Sequence, residues 1–175
     1  MNRIAAVVAG LSLAFVGTSA TFAGTINVPA DQPTIAAAIS ASVTGDVINI
    51  AAGTYNEHSL NPNGKAITIG SASGNLDVTI DANGGGSVFV FNSGETSGTV
   101  IQDLVITGGY ASGSWPANCG GGFNCYNNSN PTISGCTITG NTANILGGGI
   151  YCTNSNPTIS DCRITANTAS DSGGG

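Results

Sequence analysis

The second half of the chain contains the same segment twice in close succession. The stretch GGGFNCYNNSNPTISGCTITGNTA spans residues 120–143, and GGGIYCTNSNPTISDCRITANTA spans residues 147–169. When the two are aligned on their shared NPTIS, Cys136 is equivalent to Cys162, 26 residues later (162 − 136). Repetition at a nearly constant period of this length indicates a solenoid, in which each copy forms one structural unit that packs on the next.

Short alternating runs of apolar residues predict that this unit is built from β-strands. The runs CTIT, CRIT and LVIT are broken by Gly, Asn and Asn-Pro turns, whereas a helical repeat needs about ten residues with apolar positions three and four apart. Three strands per repeat, GFNCY, PTIS and CTIT, fit one turn of a coil. Coils stacked about 4.8 Å apart form parallel sheets. The predicted fold class is therefore all-β, a right-handed parallel β-helix whose hand follows the usual crossover rule.

Stacked coils place equivalent residues above one another, which explains why the same residue types recur. We expect an inner column of isoleucines, and asparagines that hydrogen-bond along a turn with left-handed backbone. Gly135 and Asp161 are expected to bend the chain between two strands. The predicted structural ladder pairs Cys125 with Cys152, Cys136 with Cys162, Ile138 with Ile164 and Asn141 with Asn167.

The chain contains five cysteines, an odd number, so at least one is free or has a partner outside this sequence. The stacked cysteines have two interpretations. They are small buried thiols in a column, which we favour, or they form disulfides between coils, for which the geometry is tight but allowed. Cys119 lies in an inserted loop and is the expected odd residue, with a bond to Cys125 as the alternative.

The first 23 residues have the pattern of a secretory signal peptide. Arg3 precedes the apolar run IAAVVAGLSLAFVG, and small residues follow as far as Ala23, where we expect cleavage. The alternative is an N-terminal membrane anchor, but the run is short for a bilayer span. We therefore predict a secreted or cell-surface protein, extracellular or periplasmic, that does not span a membrane after cleavage.

Beyond Ala23 the chain is acidic. Lys65 and Arg163 are its only Lys and Arg residues against nine Asp and Glu residues, a formal charge of −7 (2 − 9). A nucleic-acid-binding protein needs a basic face, so nucleic acid is not expected as a partner.

Residues 24–45 differ from the repeats and are predicted to cap the solenoid. They contain a strand, INV, and a short amphipathic helix over PTIAAAISASV, with Asp31 or Gln32 as its N-cap. The apolar face of the helix is expected to hold Ile35, Ala38, Ile39 and Val43. The helix would cover the apolar end and the unpaired strand edges of the first coil.

The coils are predicted to occupy residues 46–175. Because the final GGG matches the start of a repeat, we expect the fold to be truncated and the chain to continue beyond Gly175.

Two stretches carry a resemblance to a known family. VPADQPTIAAAISAS…GDVINIAAGTYNE is similar to the N-terminal segment of pectin-lyase-like right-handed β-helix proteins, and GGGIYC…NPTISDCRITANTA resembles the repeat of exported bacterial proteins of this fold. The repeat also resembles, more loosely, that of polymorphic outer-membrane adhesins. The resemblance covers residues 25–175 and implies the fold, which carries lyases, hydrolases, esterases, epimerases and non-catalytic surface proteins.

Pectate-lyase-like chemistry would need a base and clustered acids that hold calcium. Arg163 is the candidate base, with Asp161 nearby and Asp103 at the equivalent position two coils earlier. We favour the interpretation that these three side chains are solvated charges on the outer face. Calcium would be a cofactor only of a lyase, and otherwise no cofactor or metal is predicted.

The insert GGYASGSWPANCGGG is the best candidate for ligand binding. It carries Trp115, the single tryptophan, and Tyr110 in a loop of Gly, Ser and Pro that leaves the coil. Exposed aromatic rings stack on sugar rings, and loops on a rigid scaffold often carry function. The alternative is that both rings fold back and cover a sheet face.

Two functions are open. The one that we favour is an exported scaffold for adhesion or glycan binding without catalysis, with a polysaccharide or a cell-surface glycan as partner. The alternative is a polysaccharide-active enzyme, pectate-lyase-like or glycoside-hydrolase-like, whose active site is weak or lies beyond Gly175. Acids and a base that converge on one face would favour the enzyme, and scattered charges would favour the scaffold.

Overall fold

The computed structural model describes residues 23–175. The predicted signal peptide, residues 1–23, therefore lies outside the described residues except for Ala23. The described chain forms one short helix, α1 (Ile35–Ala41), and 17 short strands. In chain order the strands are β1 (Thr25–Val28), β2 (Val47–Ile50), β3 (Gly53–Tyr55), β4 (Thr68–Ser71), β5 (Val78–Asp81), β6 (Phe89–Phe91), β7 (Val100–Gln102), β8 (Val105–Thr107), β9 (Tyr110–Ala111), β10 (Phe123–Cys125), β11 (Thr132–Ser134), β12 (Thr137–Thr139), β13 (Thr142–Ala143), β14 (Ile150–Cys152), β15 (Thr158–Ser160), β16 (Arg163–Thr165) and β17 (Thr168–Ala169).

The strands pair in parallel and form four sheets along one axis. Sheet A has the order β1-β2-β4-β7-β11-β15, and sheet B the order β3-β5-β8-β12-β16. Sheet C is β6-β10-β14, and sheet D is β9-β13-β17. In the repeats each coil passes once through sheets C, A, B and D, so the predicted all-β parallel solenoid is confirmed. Each repeat coil has one strand more than the three expected, the two-residue strand of sheet D.

The register of the strands places like residues over one another inside the solenoid. Ile138 of sheet B pairs with Ile106 on one side and Ile164 on the other, and in sheet C Cys125 pairs with Cys152. Ile138 is fully buried, whereas Ile164 is 39% exposed because β16 is an edge strand of sheet B. The core is thus a set of columns that run along the axis, and its burial decreases in the last coil.

Sheet C contributes three stacked phenylalanines to the core. The rings of Phe89 and Phe123 are 5.4 Å apart and inclined by 9°, and Phe91 lies 6.2 Å from Phe123. All three side chains are fully buried. Because each such ring buries about 150–250 Å², the stack is the bulkiest part of the core, and it lies directly behind the face of sheet C described below.

Two side chains accept hydrogen bonds from the N-terminus of α1. The Oγ1 of Thr34 accepts a hydrogen bond from the N–H of Ala37 at 3.0 Å. The two carboxylate oxygens of Glu57, from the coil that follows, accept the N–H groups of Ile35 and Ala36 at 2.8 Å each. A helix of seven residues is unstable in isolation, so we infer that these acceptors stabilise its first turn.

The residues predicted to cap this helix do not do so. Asp31 accepts instead from the backbone N–H and the side-chain amide of Asn27, both at 2.8 Å. These bonds stabilise the turn after β1 and hold the pKa of Asp31 below its usual range. The prediction that Asp31 or Gln32 is the N-cap is therefore wrong, because Thr34 occupies that position.

The helix ends at Ala41, and the Nζ of Lys65 donates to the carbonyl groups of Ile39 and Ser42 at that end. Val43 lies beyond the helix and is 40% exposed, so its predicted place on the buried face is wrong. The buried face of α1 consists of the other predicted residues, Ile35, Ala38 and Ile39.

In the described part of the chain, no helix is both long and apolar enough to cross a bilayer.

The turn before sheet D is left-handed one residue earlier than predicted. Gly140 and Ala166 have φ of 67° and 53°, and each is followed by the asparagine that was expected to be left-handed. Asn141 and Asn167 therefore have ordinary backbone, and their side chains turn inward to bond to the coil. This arrangement leaves an alanine at a position where the equivalent residue of the preceding coil is glycine.

Candidate functional site

The part of the predicted insert that leaves the coil is residues 112–119, between β9 and β10, and we keep the name insert for these residues. Tyr110 lies before them, in β9. The insert lies against the outer face of sheet C. Asn124 lies at the middle of β10, and its Nδ2 donates to the carbonyl group of Pro116 at 2.9 Å. The N–H of Ile145 donates to the carbonyl group of Asn118 at 3.1 Å. These two bonds fix the insert to the coil on either side, so it forms a defined surface.

A cleft of about 220 Å³ opens beside the insert, and we call it the Asn124 cleft. It includes the outer face of sheet C, where Asn124 pairs with Val90. The cleft is lined by Ser59, Ser87, Val90, Ser112, Asn124 and Tyr126, together with two glycines and an alanine. None of these residues is Asp, Glu, Lys or Arg. The lining is therefore polar, rich in hydroxyl groups and uncharged.

The wall of the cleft contains a buried acceptor. The Oδ1 of Asn124 has no hydrogen-bond partner among the described residues, and the residue is 1% exposed. Its amide orientation follows from the bond to Pro116, because the reversed amide would bring two carbonyl oxygens together. An unsatisfied buried polar atom costs about 1–3 kcal/mol, and because this oxygen is itself buried, a ligand in the cleft reaches it only if the Asn124 side chain or the insert moves.

Hydroxyl groups supply the remaining polar lining. The hydroxyl group of Tyr126 accepts from the Nδ2 of Asn92 at 2.8 Å, which leaves its own proton available for donation. The Oγ of Ser59 lies 3.2 Å from the Nδ1 of His58 at the rim. Ser112 is exposed at the start of the insert. Each of these hydroxyl groups both donates and accepts, as the hydroxyl groups of a sugar do.

The two aromatic residues singled out in the sequence are both exposed, and neither belongs to the lining of this cleft. Trp115 is 56% exposed, and its ring meets that of Tyr151 edge-on, at 5.4 Å and 78°. Tyr110 is 42% exposed, and its N–H donates at 2.9 Å to the carbonyl group of Gly86, a residue of the cleft lining. The insert covers part of sheet C, and these two rings remain accessible at its edge.

A second depression adjoins the Asn124 cleft. It has a volume of about 230 Å³ and lies between α1 and the chain that follows β3. Ser59, which has a left-handed φ of 55°, lines both depressions. The lining of the second depression is also uncharged and includes Ala36, Ile39, Ser40, Leu60 and Asn61. Ser59 is the one residue that the two linings share.

The other predicted ligand-binding residues lie at a different bend of the coil. Asp103 and Asp161 occupy the bend between sheets A and B, with Gly135 between them in the same column. All three have left-handed backbone, with φ of 55°, 53° and 62° respectively. Arg163 starts β16 two residues after Asp161. Each coil runs through sheets C, A, B and D in that order, and the insert lies between sheets D and C. The bend between sheets A and B is therefore on another side of the coil, and these charged residues do not lie near Trp115 and Tyr110.

Other acidic side chains are engaged in local structure. Asp77 accepts from the hydroxyl groups of Ser71 and Ser73 at 2.7 Å each, and these bonds hold the pKa of Asp77 below its usual range. Asp81 accepts the N–H of Asn83 at 2.8 Å. In the part of the chain that the structure describes, no three His, Cys, Asp or Glu side chains come together as a metal site.

All five cysteines are free thiols in the structure. Cys119, the last residue of the insert, is buried. Cys125 and Cys152 are neighbours in sheet C, and their hydrogen bond, together with burial, raises the pKa of Cys125. A hydrogen bond from Cys136 lowers the pKa of Cys162 to about 6, and the same bond and burial raise the pKa of Cys136. Cys162 is therefore the more acidic thiol of its pair, and it is only half-buried.

The sequence indicated the two aromatic residues but not the Asn124 cleft. Ser59 and Ser87 come from early coils whose turns differ in length from the repeats, so the repeat pattern does not place them beside the insert. Asn124 could have been found, because it alternates with two inward-facing neighbours on β10 and must face outward. The sequence offers no signal for its unpaired Oδ1.

The parallel coils, the four sheets and the residue columns agree with a comparison to protein families. Residues 47–174 match the family described as right handed beta helix region. Comparison with curated proteins and with solved structures finds no match. The family match begins at β2, ends in the last coil and covers most of the chain. The chain therefore belongs to the right-handed β-helix region family.

Proposed function

We propose that this chain is an exported β-helix scaffold that binds glycans on its outer surface without acting on them chemically. The observation that carries the proposal is the exposed indole of Trp115, held against Tyr151 beside the Asn124 cleft. An exposed aromatic ring next to a hydroxyl-rich cleft combines the two kinds of contact that a sugar residue offers, an apolar face and a rim of hydroxyl groups.

The rigidity of the insert supports this proposal. Trp115 contacts Tyr151, and the carbonyl group of the next residue, Pro116, is bound by Asn124. Side chains and loops that are already ordered lose little freedom when a ligand binds, so more of the contact energy remains as affinity. Loops positioned by a stiff scaffold are frequent binding sites for the same reason.

Export is the second part of the proposal. The signal-peptide pattern over residues 1–23 supports a secreted or cell-surface location, where polysaccharides and surface glycans are available partners. On a cell surface, glycan binding by a rigid rod of stacked coils would act as adhesion. The location is tested by looking for the protein in the medium and on the surface of the cells that produce it. Protein recovered from there can then be used to measure glycan binding.

The test of glycan binding uses the purified chain and a panel of immobilised polysaccharides and surface glycans. We expect at least one glycan to be retained by the wild type, and Trp115→Ala to weaken that binding about tenfold or more, or about 1.4 kcal/mol. Leu76→Ala is the matched control, because Leu76 is 49% exposed and lies on a turn away from the insert. Absence of binding to every glycan, or equal binding by the wild type and Trp115→Ala, would overturn the proposal.

The same glycans serve to test for the enzyme alternative. Each glycan that binds is incubated with the protein, with and without calcium, and followed for ultraviolet absorbance from new double bonds and for new reducing ends. Unchanged glycans support a scaffold. Cleavage by the wild type that is absent from a heat-inactivated sample would replace the scaffold proposal with the polysaccharide-active enzyme.

A further inference from the structure

We infer that the Asn124 cleft selects uncharged sugar residues, so that the ligand of this scaffold is a neutral oligosaccharide or polysaccharide and not an acidic one. The inference rests on the proposed glycan binding and names its ligand class. It departs from the acidic, pectate-type substrate that a lyase of this fold would require.

The first argument is the charge of the surface. No Asp, Glu, Lys or Arg lines the cleft or the adjoining depression. Lys65 is bonded to carbonyl groups at the end of α1, and Arg163 lies at the bend between sheets A and B. A polyuronate would bring a carboxylate on each residue into a site without a cation, and placing an unpaired charge there is unfavourable. The excess of acidic residues in the chain, nine against three Lys and Arg, adds repulsion over a longer range.

The second argument is the inventory of hydrogen-bonding groups. The hydroxyl group of Tyr126 has a proton to donate once it has accepted from Asn92. Ser59 and Ser112 can do either. These groups match the hydroxyl groups of a neutral sugar, each of which both donates and accepts, and none of them is specific for a carboxylate.

The third argument is size. At about 220 Å³, the cleft is smaller than the pockets of about 300–1,000 Å³ that enclose drug-sized ligands. A second depression of about 230 Å³ adjoins it at Ser59. Two small depressions joined at one residue suit consecutive residues of a chain better than one bulky molecule. The ligand is therefore an oligosaccharide segment, with one residue near Trp115 and others extending toward α1.

The test compares neutral with acidic hexasaccharides by titration calorimetry at low ionic strength. The neutral probes are cellohexaose, xylohexaose and mannohexaose, and the acidic probes are hexagalacturonate and hexaguluronate. We expect at least one neutral probe to bind tenfold or more tightly than either acidic probe, and the corresponding disaccharide to bind more weakly than the hexasaccharide.

Two variants connect the preference to the cleft. Ser112→Lys places a cation at its exposed rim and is expected to raise the affinity for hexagalacturonate several-fold while leaving neutral binding within about twofold. Ser97→Lys is the charge-matched control, because Ser97 is exposed on the turn before β7 and should change neither affinity. Tyr126→Phe removes one hydroxyl group and keeps the ring. It is expected to weaken neutral binding about threefold to tenfold, with Tyr55→Phe as its control.

The outcomes separate this inference from the broader proposal. Binding of an acidic probe as tightly as any neutral one by the wild type overturns the inference and leaves glycan binding standing. The assignment to this cleft is overturned if Tyr126→Phe leaves the affinity for neutral probes unchanged and Ser112→Lys leaves the affinities for neutral probes and for hexagalacturonate unchanged. Binding of no probe, neutral or acidic, overturns both.

Discussion

The side-chain amide of Asn141 donates to the Oδ1 of Asn167 in the next coil at 3.0 Å. The same Oδ1 also accepts the backbone N–H of Asn141 at 3.0 Å. On its other side, the Oδ1 of Asn141 accepts the N–H of Gly109 at 2.9 Å, and its Nδ2 donates to the carbonyl group of Ile106 at 3.0 Å. Asn141 therefore connects three successive coils at a fully buried position.

We predict that Asn141→Ala destabilises the protein by about 2–4 kcal/mol, because it leaves several buried backbone groups without a partner. Asn144→Ala is the control, since Asn144 is exposed and its replacement should cost less than about 0.5 kcal/mol. Urea unfolding followed by circular dichroism measures both values. Similar midpoints for the two variants would show that the asparagine ladder contributes little.

From the left-handed turn before sheet D we predict that two substitutions change the stability of the protein in opposite directions. Gly140→Ala puts a Cβ on left-handed backbone, 3.1 Å from the Oγ1 of Thr107, and should cost about 1 kcal/mol or more. Ala166→Gly removes that strain at the equivalent position and should stabilise by about 0.5 kcal/mol, the remainder after the added flexibility of glycine. Thermal unfolding of both variants is the measurement.

Ala169→Gly is the control for this pair, because Ala169 lies in the extended strand β17 and gains nothing from glycine there. It should destabilise by about 0.5–1 kcal/mol. If Ala166→Gly lowered the midpoint as much as Ala169→Gly does, the left-handed conformation of Ala166 would not carry the strain that we assign to it.

The contact between Glu57 and α1 predicts that the capping helix depends on a side chain from the next coil. Glu57→Gln keeps one acceptor but turns an amide toward the second N–H, and should lower the free energy of unfolding by about 1 kcal/mol. Hydrogen exchange at Ile35 and Ala36 should accelerate more than exchange in β11. The exposed Asp171, replaced by Asn, is a control of equal charge change. Unchanged exchange at both amides in Glu57→Gln would contradict the capping role.

The thiol pair of the last coils predicts a pH-dependent reactivity. Because the pKa of Cys162 is lowered to about 6 by a hydrogen bond from Cys136, its thiolate fraction rises as the pH increases through about 6 and is high at neutral pH. Iodoacetamide should therefore label Cys162 at pH 7 faster than the buried Cys119. The rate should fall as the solution is made more acidic than about pH 6.

Cys136→Ala provides the test of cause for this prediction. Without a hydrogen-bond donor at this position, half-maximal labelling of Cys162 should move up toward pH 8.5, the ordinary range of cysteine. Mass spectrometry of the labelled peptides reports the rates. A profile for Cys162 that is the same in the wild type and in Cys136→Ala would rule out the thiol hydrogen bond as the source of the lowered pKa.

Much of the fold could be predicted because aligning the repeats shows which residues of successive coils lie next to each other. Once Cys136 was aligned with Cys162, parallel register followed, and with it the pairing of Ile138 with Ile164. The expectations that failed concern single positions where local alternatives are close in energy. Examples are the N-cap, which is Thr34, and the left-handed residue, which precedes Asn141.

The sequence by itself determined the solenoid, because a period of 26 residues with alternating short strands leaves few other ways to bury its isoleucines. It also singled out Trp115 and Tyr110. Only the tertiary structure decided that the Asn124 cleft forms. Ser59 and Asn124 are far apart in the chain and line one cleft because several coils of unequal length stack between them, and the positions of such residues depend on every intervening turn and not on the repeat.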